Sequence, residues 1–317
     1  MGEKGKVLVI RFSSIGDIVL TTPVIRCLSK AGYEVHLLTK AGFSKVLDGN
    51  PYIHTLHAWE NTAISNLKKE QFTFIADLHN NLRSRKVKLM LRVKSKSFPK
   101  LNLKKTLLVN WKVNKMPDIH VVDRYFESVK SLGVVSDGQG LDYFGNGLEV
   151  PYREGKYEVI VLGAAHGTKQ IPESVLLELI WKLKKNVVLV GGPAEKEQGD
   201  ELAEKAGDEV VFNTCGQTSL DESANLIKFA QRVFTPDTGM MHIASAFHDR
   251  IVSFWGNTVP ELGMTPYFGK GLDVLNAKIM EVKGLDCRPC SKIGYDECPK
   301  GHFNCMMQQD LSQIKRE

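Results

Sequence analysis

Four short stretches of the 317-residue chain carry the side chains best suited to chemistry. The first, Arg11-Phe-Ser13-Ser14-Ile-Gly16-Asp17, sets two hydroxyls, a glycine and a carboxylate directly after the apolar run Lys6 to Ile10. A carboxylate leaving a strand can take the proton from an attacking hydroxyl, or it can serve only as a helix-cap acid. The second, Leu162-Gly163-Ala-Ala-His-Gly167-Thr168-Lys169, fails the Walker A spacing because only three residues, not four, separate its glycines and Lys169 follows Thr168. A lysine on a glycine-bearing loop after a strand still suits a phosphate. The third places Gly191, Gly192 and Glu195 past the run Val187 to Val190. Glu195 can accept both hydroxyls of a ribose, or merely favour a helix N-terminus. The fourth is Thr235-Pro-Asp237-Thr238-Gly239-Met-Met-His242. Proline breaks a strand there, and the following helix opens with N–H groups free to meet a diphosphate. An ordinary capped helix has the same letters, and His242, one turn in, is equally placed to pack.

These residues need a framework that brings strand ends together. Val- and Ile-rich runs at 6–11, 33–39, 53–57 and 72–77 alternate with helical patterns at 17–30, 42–48, 61–69, 82–93 and 120–132. The same grammar returns in the second half. Strands are predicted at 157–162, 187–190, 210–213, 232–235 and 250–255, and helices at 173–184, 195–206, 219–230 and 238–247. Continuous apolar strands between helices predict parallel sheets covered on both faces. The stretch 136–155, rich in glycine and polar residues without periodicity, reads as a linker. The prediction is α/β: doubly wound domains over 1–150 and 151–317, facing each other across a cleft lined by carboxyl strand ends.

Composition narrows the class. With 43% hydrophobic and 25% charged residues the chain reads as an ordinary globular protein. No apolar run reaches the ~18 residues of a membrane span. The apolar block after the basic start is too short for a signal peptide, and Lys6 spoils the myristoylation pattern, so a cytoplasmic protein is expected. The net charge of +6 hides an asymmetry: residues 78–117 carry twelve Lys or Arg and no acid, leaving the rest of the chain at −6. Such a patch indicates a partner.

Four motifs, "RFSSIGDIVLTTPVIRCL", "TKQIPE", "CGQTSLDESANLIKFAQRVFTPDTGMMHIASAF" and "CRPCSKIGYDECPKGHFNCM", together resemble glycosyltransferase family 9, the lipopolysaccharide heptosyltransferases, in order along nearly the whole chain. The resemblance implies a GT-B fold of two facing Rossmann-like domains. It puts an acceptor site in the first (Ser13, Ser14, Gly16) and a nucleotide-sugar site in the second. Transfer would be inverting and metal-independent, without a cofactor, with Asp17 as base. On the donor side it implies Thr168, Lys169, Gly192, Glu195, Asp237, Thr238, Gly239 and His242, with Glu195 on the ribose and the Ser219–Leu220 backbone at the base. The donor would be ADP-heptose, and the acceptor an anionic lipid-linked saccharide at the cytoplasmic face of the inner membrane. The residues agree about metal: no two aspartates lie two apart, so Lys169 and the helix start at Asp237 are left to meet the leaving diphosphate. One departure is Ala164 and Ala165, where family members often carry phosphate-binding hydroxyls; contacts would fall to backbone N–H groups, Thr168 and Lys169.

Helical periodicity from Arg85 gathers Arg85, Lys88, Arg92 and Lys96 on one face, with Val87, Met90 and Leu91 opposite as core. This ridge lacks the aromatic residues of a single-strand nucleic-acid surface. An anionic head group or leaflet fits it better, at about 1 kcal/mol per basic residue; the alternative is a solvated face. Cys287, Cys290, Cys298 and Cys305, near His302, have no standard finger spacing and read as a lobe of reduced thiols, with zinc the alternative. The competing functions are transfer of another sugar, a nicotinamide oxidoreductase, and a nucleic-acid-binding protein. The oxidoreductase lacks its glycine fingerprint: none of the three G-x-G pairs, at 138/140, 145/147 and 269/271, continues as G-x-G-x-x-G, and the first two fall in the linker.

Overall fold

A computed structural model describes residues 4–145, 156–207, 210–269 and 276–315. It contains two compact units. The first comprises Met1–Leu101, Ile119–Asn146 and Tyr267–Leu272, and the second Asn102–Asp118, Gly147–Pro266 and Asp273–Glu317. Each is built on one parallel sheet, the predicted α/β class.

The first unit holds β1 (Lys6–Ile10), β2 (Glu34–Thr39), β3 (Thr55–Ala58), β4 (Phe74–Asp77) and β5 (Ser95–Ser97), paired in the order β3-β2-β1-β4-β5. Central β1 buries Val7 to Ile10 completely, which is why it reads as an unbroken apolar run. The chain winds outward through β2 and β3, then returns to the other side of β1 as β4. Loops leaving β1 and β4 therefore diverge, the condition for a ligand crevice at carboxyl strand ends.

The second unit holds β6 (Glu158–Val161), β7 (Val187–Val190), β8 (Val211–Asn213), β9 (Val233–Pro236), β10 (Ile251–Trp255) and β11 (Lys278–Glu281), in the order β11-β10-β9-β6-β7-β8. Here the reversal lies between β6 and β9. Ile160, Leu189, Phe234 and Phe254 from the strands pack with Leu176 and Leu179 of helix Glu173–Leu183 to form its core.

Several predicted elements change. The expected helix over 17–30 is two helices, Ile15–Val19 and Thr22–Lys30. At the break the Thr21 and Thr22 hydroxyls donate to the Ile18 and Val19 carbonyls (2.6 and 2.8 Å), and Pro23 has no N–H to continue the ladder. Strands β5 and β11 lie at sheet edges with mostly uncovered side chains and so show no apolar run, and helix Asn102–Trp111 lay hidden in the basic stretch. The described part of the expected linker is packed structure. Asp137, Asp142 and the Gly140 carbonyl accept hydrogen bonds from buried Arg26, tying this segment to helix Thr22–Lys30. The rest, 146–155, lies outside the described residues.

A buried ion pair joins β6 to the residue before β9. Glu158, with no exposed surface, accepts from Arg232 at 2.8 and 3.2 Å, and Arg232 also donates to the Lys315 carbonyl (2.7 Å). Removing one member strands a buried charge, at a cost of about 3–5 kcal/mol, whereas replacing both by apolar groups is often neutral. Arg232→Met should lower the denaturation midpoint strongly, and adding Glu158→Leu should restore most of the loss. A double variant as unstable as the single one would show that the pair is not coupled.

Candidate functional site

The reversal point of the six-stranded sheet holds the donor-side candidates. Leu162 to Lys169 leave β6 and end in the 3-10 turn Gly167–Lys169; Asp237 and Thr238 leave β9 and start helix Gly239–Ser245. Lys169 Nζ lies 2.6 Å from Asp237 Oδ2, which also accepts from the Thr258 hydroxyl at 2.8 Å. The two exits of the reversal are thus joined by an ion pair whose members are 17% and 11% exposed at the side chain, dry enough to orient the ammonium firmly. Thr238 is the N-cap in extended conformation, and its side chain makes no cap bond.

Glu195 stands past β7, its carboxylate accepting the Gly192 N–H at 2.8 Å. Three glycines surround it. A Cβ on Gly163 would lie 3.1 Å from its Oε2, one on Gly192 3.3 Å from the same atom, and one on Gly191 2.9 Å from its Cβ. At Gly191 a Cβ would force a shift, whereas at Gly163 and Gly192 it would push the flexible carboxylate aside by a few tenths of an ångström. Glu195 is therefore both the helix-cap acid and an accessible acceptor.

In the first unit Asp17 lies past β1, at the start of helix Ile15–Val19. Arg11 Nη2 is 2.5 Å from its Oδ2, and the Ser14 hydroxyl and N–H approach the same oxygen at 3.3 and 3.4 Å. Arg11 is buried, and also donates to the carbonyls of Ser13 (2.8 Å) and Leu78 (2.7 Å) and to the Tyr125 hydroxyl (3.1 Å). Because Leu78 follows β4, this guanidinium spans the β1/β4 reversal and presents Asp17 there. Gly16 is buried under the turn, and Ser13 contributes its carbonyl.

Other predicted positions fall elsewhere. Lys88 does not project from a ridge: its ammonium lies 2.7 Å from the wholly buried Asp77 and donates to Ser97 (2.6 Å). Burial alone would raise the Asp77 carboxyl, but Lys88, the Asn80 N–H and Ser84 hold it below its usual range. Lys88 is thus a structural counter-ion. Arg85 and Arg92 are exposed, Arg92 as the left-handed C-cap of helix Leu82–Leu91. Met90, expected in the core, is 40% exposed beside Leu82 and Leu89 at 82% and 76%, so the outer face is basic and apolar together.

Thr168 is buried, its hydroxyl donating to the Tyr295 carbonyl (2.9 Å) and accepting the Tyr295 N–H (2.8 Å). It fastens the C-terminal lobe to the phosphate-type loop, its hydroxyl bonded in both directions to Tyr295. His242 is buried in its helix. Before Leu220, the Ser219 N–H donates to Glu222 (2.7 Å) and its carbonyl accepts from Ser223.

Cys287, Cys290, Cys298 and Cys305 line one pocket with His302, all as free thiols. Burial, then the neighbouring thiols, push Cys305 up to about 11, which makes it a poor nucleophile. Among the described residues, Glu34, His36 and His54, and His36, His57 and Glu70, bring metal-type ligand atoms within 4.8 Å of one another, near the amino ends of β2 and β3. The Lys6 ammonium already stands 3.0 Å from Glu34 and 3.1 Å from Glu70, supplying a cation there.

Sequence reasoning missed Arg11, Thr258 and Tyr295. Only Arg11 left a signal, a lone arginine ending an apolar strand; the other two act through contacts distant in sequence.

A family model for glycosyltransferase family 9 (heptosyltransferase) matches residues 62–292. Lipooligosaccharide heptosyltransferase 2 of Haemophilus influenzae is 32% identical over 78 residues, a match spanning 24% of this chain and only 22% of that protein. Lipopolysaccharide heptosyltransferase 1 of Escherichia coli is 24% identical over 86% of this chain and 93% of its own. The solved structure of E. coli heptosyltransferase WaaC with ADP superposes with a TM-score of 0.64 at 22% identity, covering 86% and 92% of the two chains, and shows the shared GT-B fold. With the family model matched over most of its length, the chain belongs to glycosyltransferase family 9, the heptosyltransferases.

Proposed function

We propose that the chain is an inverting, metal-independent glycosyltransferase that moves heptose from ADP-heptose to a lipid-linked lipopolysaccharide inner-core acceptor. The observation that carries this reading is the placement of one oriented carboxylate and one oriented ammonium, Asp17 and Lys169, each at the reversal point of its own sheet. The family match and the ADP bound to the WaaC structure support the choice of donor.

In this reaction the acceptor oxygen attacks the anomeric carbon while the bond to the diphosphate breaks on the opposite side. The hydroxyl proton passes to Asp17. Arg11 holds and aims that carboxylate through their ion pair. Lys169 meets the charge growing on the diphosphate, work that a metal does in transferases with paired aspartates. Glu195 accepts from the ribose hydroxyls. No helix among the described residues is long and apolar enough to cross a membrane, so a lipid-linked acceptor would be met at the surface. The exposed Arg85 and Arg92 with Leu82 and Leu89 are the groups suited to an anionic leaflet.

Asp17→Asn should lower kcat by about 10²–10⁴, the usual contribution of general-base catalysis. ADP affinity by calorimetry should be unchanged, because the donor groups belong to the other unit. Near-normal turnover would remove Asp17 from the role of base.

Lys169→Ala should weaken ADP binding about tenfold or more, as loss of a charge-assisted contact does, and EDTA should leave the wild-type rate unchanged. A rate abolished by EDTA and restored by magnesium or manganese would refute the metal-free mechanism.

Reversing Arg85 and Arg92 to glutamate should reduce sedimentation with anionic vesicles by about tenfold or more at low salt, from roughly 1 kcal/mol per charge, and high salt should mask the difference. Val87 and Leu91 keep the helix packed, so circular dichroism should not change. Equal sedimentation of variant and wild type would make this a solvated face.

A further inference from the structure

The transfer chemistry uses the carboxyl ends of the first sheet and gives its amino ends no task. Because the sheet is parallel, those amino ends lie on the side away from Asp17. Three of the chain's nine histidines meet there, together with two glutamates and a lysine. Glu34 and His36 are two apart on β2 and so share one face. His54 stands just before β3, its N–H donating to the Val35 carbonyl at 2.8 Å, and this register sets its ring beside Glu34. His57 follows on β3, and Glu70 ends helix Ile64–Lys69 as its C-cap.

One oxygen is the focus of the cluster. Glu34 Oε1 lies 2.8 Å from His36 Nε2, 3.5 Å from His54 Nε2 and 3.0 Å from Lys6 Nζ. Behind it, His36 Nδ1 is 2.9 Å from His57 Nε2, and Phe72 meets both rings edge-on at 5.1 and 6.3 Å between centroids. Exposure falls in steps across the triad: the His54 side chain is 61% exposed, Glu34 18% and His36 1%. An ion arriving from solvent meets His54 first and ends against a ring held firmly in the core.

Pairing of Lys6 does not account for this arrangement. Its ammonium is shared between Glu34 and Glu70, at 3.0 and 3.1 Å, so one cation faces two carboxylates. That pairing needs no histidine, and a fully buried strand position such as 36 is ordinarily apolar. The spacing does suit a metal. Ligand atoms about 2.0–2.2 Å from a tetrahedral zinc ion stand about 3.3–3.6 Å from one another. The 3.5 Å separation already fits, and the 2.8 Å pair, drawn together by a hydrogen bond, needs to open by only about half an ångström. Two histidines and one carboxylate, with the fourth position left to water, are a zinc donor set. The second ring nitrogen of His36 is met by His57, the kind of outer contact that fixes the tautomer and orientation of a ligating imidazole.

We propose that Glu34, His36 and His54 form a binding site for a divalent transition ion of the zinc type, with His57 orienting His36. The ion takes the place of the Lys6 ammonium on Glu34, and Lys6 stays with Glu70. The site fastens β2 to the start of β3, the edge strand of its sheet. The ion steadies the first unit and takes no part in the transfer, whose base lies at the other end of the strands.

The test titrates zinc chloride into the EDTA-stripped full chain by calorimetry, and follows thermal unfolding with and without zinc. His54 is exposed, so His54→Ala should fold, and Glu34→Gln keeps the shape while removing the charge. Outer contacts of a metal ligand are worth about 10–100-fold in affinity, so each of these variants, having lost a ligand itself, should bind zinc at least tenfold more weakly. Lys6→Met removes the competing ammonium and should tighten binding about twofold or more. Zinc should raise the wild-type midpoint by about 2–4 °C or more, EDTA should reverse the rise, and His54→Ala should show none of it. Zinc taken up by the thiols of the C-terminal lobe is common to all variants, so the difference between wild type and His54→Ala reports this site alone. Cobalt(II) gives an independent reading: a nitrogen–oxygen site shows visible bands without the sulfur-to-metal charge transfer of thiolates, and His54→Ala should remove those bands. If His54→Ala and Glu34→Gln bind zinc within about twofold of wild type, or if zinc leaves the wild-type midpoint unchanged, the site is overturned and the cluster is a hydrogen-bonded network around Lys6. EDTA-treated wild type and His54→Ala should both transfer at the untreated rate, and a rate that follows zinc occupancy would overturn the separation of this ion from the chemistry. The binding and melting measurements do not depend on which sugar is moved.

Discussion

A parallel sheet whose strand order reverses cannot cover its own reversal point, because the two loops that leave there run to opposite faces. The candidate pairs Arg11–Asp17 and Lys169–Asp237 are arranged around that constraint, once in each unit. Between β1 and β4 the exposed exits are bridged by Arg11, which binds Asp17 on one side and the Leu78 carbonyl on the other. Between β6 and β9 they are bridged by Lys169 and Asp237. In both places the bridge is an ion pair in a half-dry setting, which fixes direction because few alternative partners are within reach. The strands are rigid and deeply buried, so the pairs inherit their position from the core and not from the loops.

Buried charge is used elsewhere to hold the sheets that carry these pairs. Asp77 collects Lys88, Ser84, Ser97 and two backbone N–H groups at the end of β4, locking the start of helix Leu82–Leu91 to β5. Glu158 and Arg232 do the same at the opposite, amino end of the β6/β9 pair. Such pairs add little net stability, but breaking one is costly, so they select one register over its competitors. The C-terminal lobe acts by contact. A Cβ on Gly167 would lie 2.1 Å from the Asp296 carbonyl, and Thr168 is bonded at both ends to Tyr295, so the loop bearing Lys169 is pressed against the lobe by backbone.

Much of this was legible in the residues. Strands buried on both faces announce themselves as apolar runs, so β1, β4, β6, β7, β9 and β10 stand close to where they were predicted. Asp17, Lys169 and Asp237 were legible for a related reason: a polar residue directly after such a run must lie at a strand end. What failed was local reading of helices with polar faces. The face holding Arg85, Lys88 and Arg92 looks uniformly cationic by periodicity, yet Lys88 turns inward, because the buried Asp77 eleven positions earlier needs a counter-ion. Met90 goes outward because Val87 and Leu91, four positions apart, take the side of the helix that packs on the sheet.

The sequence by itself determined the fold class, the alternation of elements, the strand ends at which chemistry is possible and the family to which the chain belongs. It could do so because burial and chain direction act over a few residues. Which groups meet at those ends was decided by tertiary structure alone. Arg11 reaches Tyr125 over 114 positions, Lys169 reaches Asp237 over 68, and Thr168 reaches Tyr295 over 127. No periodicity spans such intervals; only the packing of the sheets brings the pairs together.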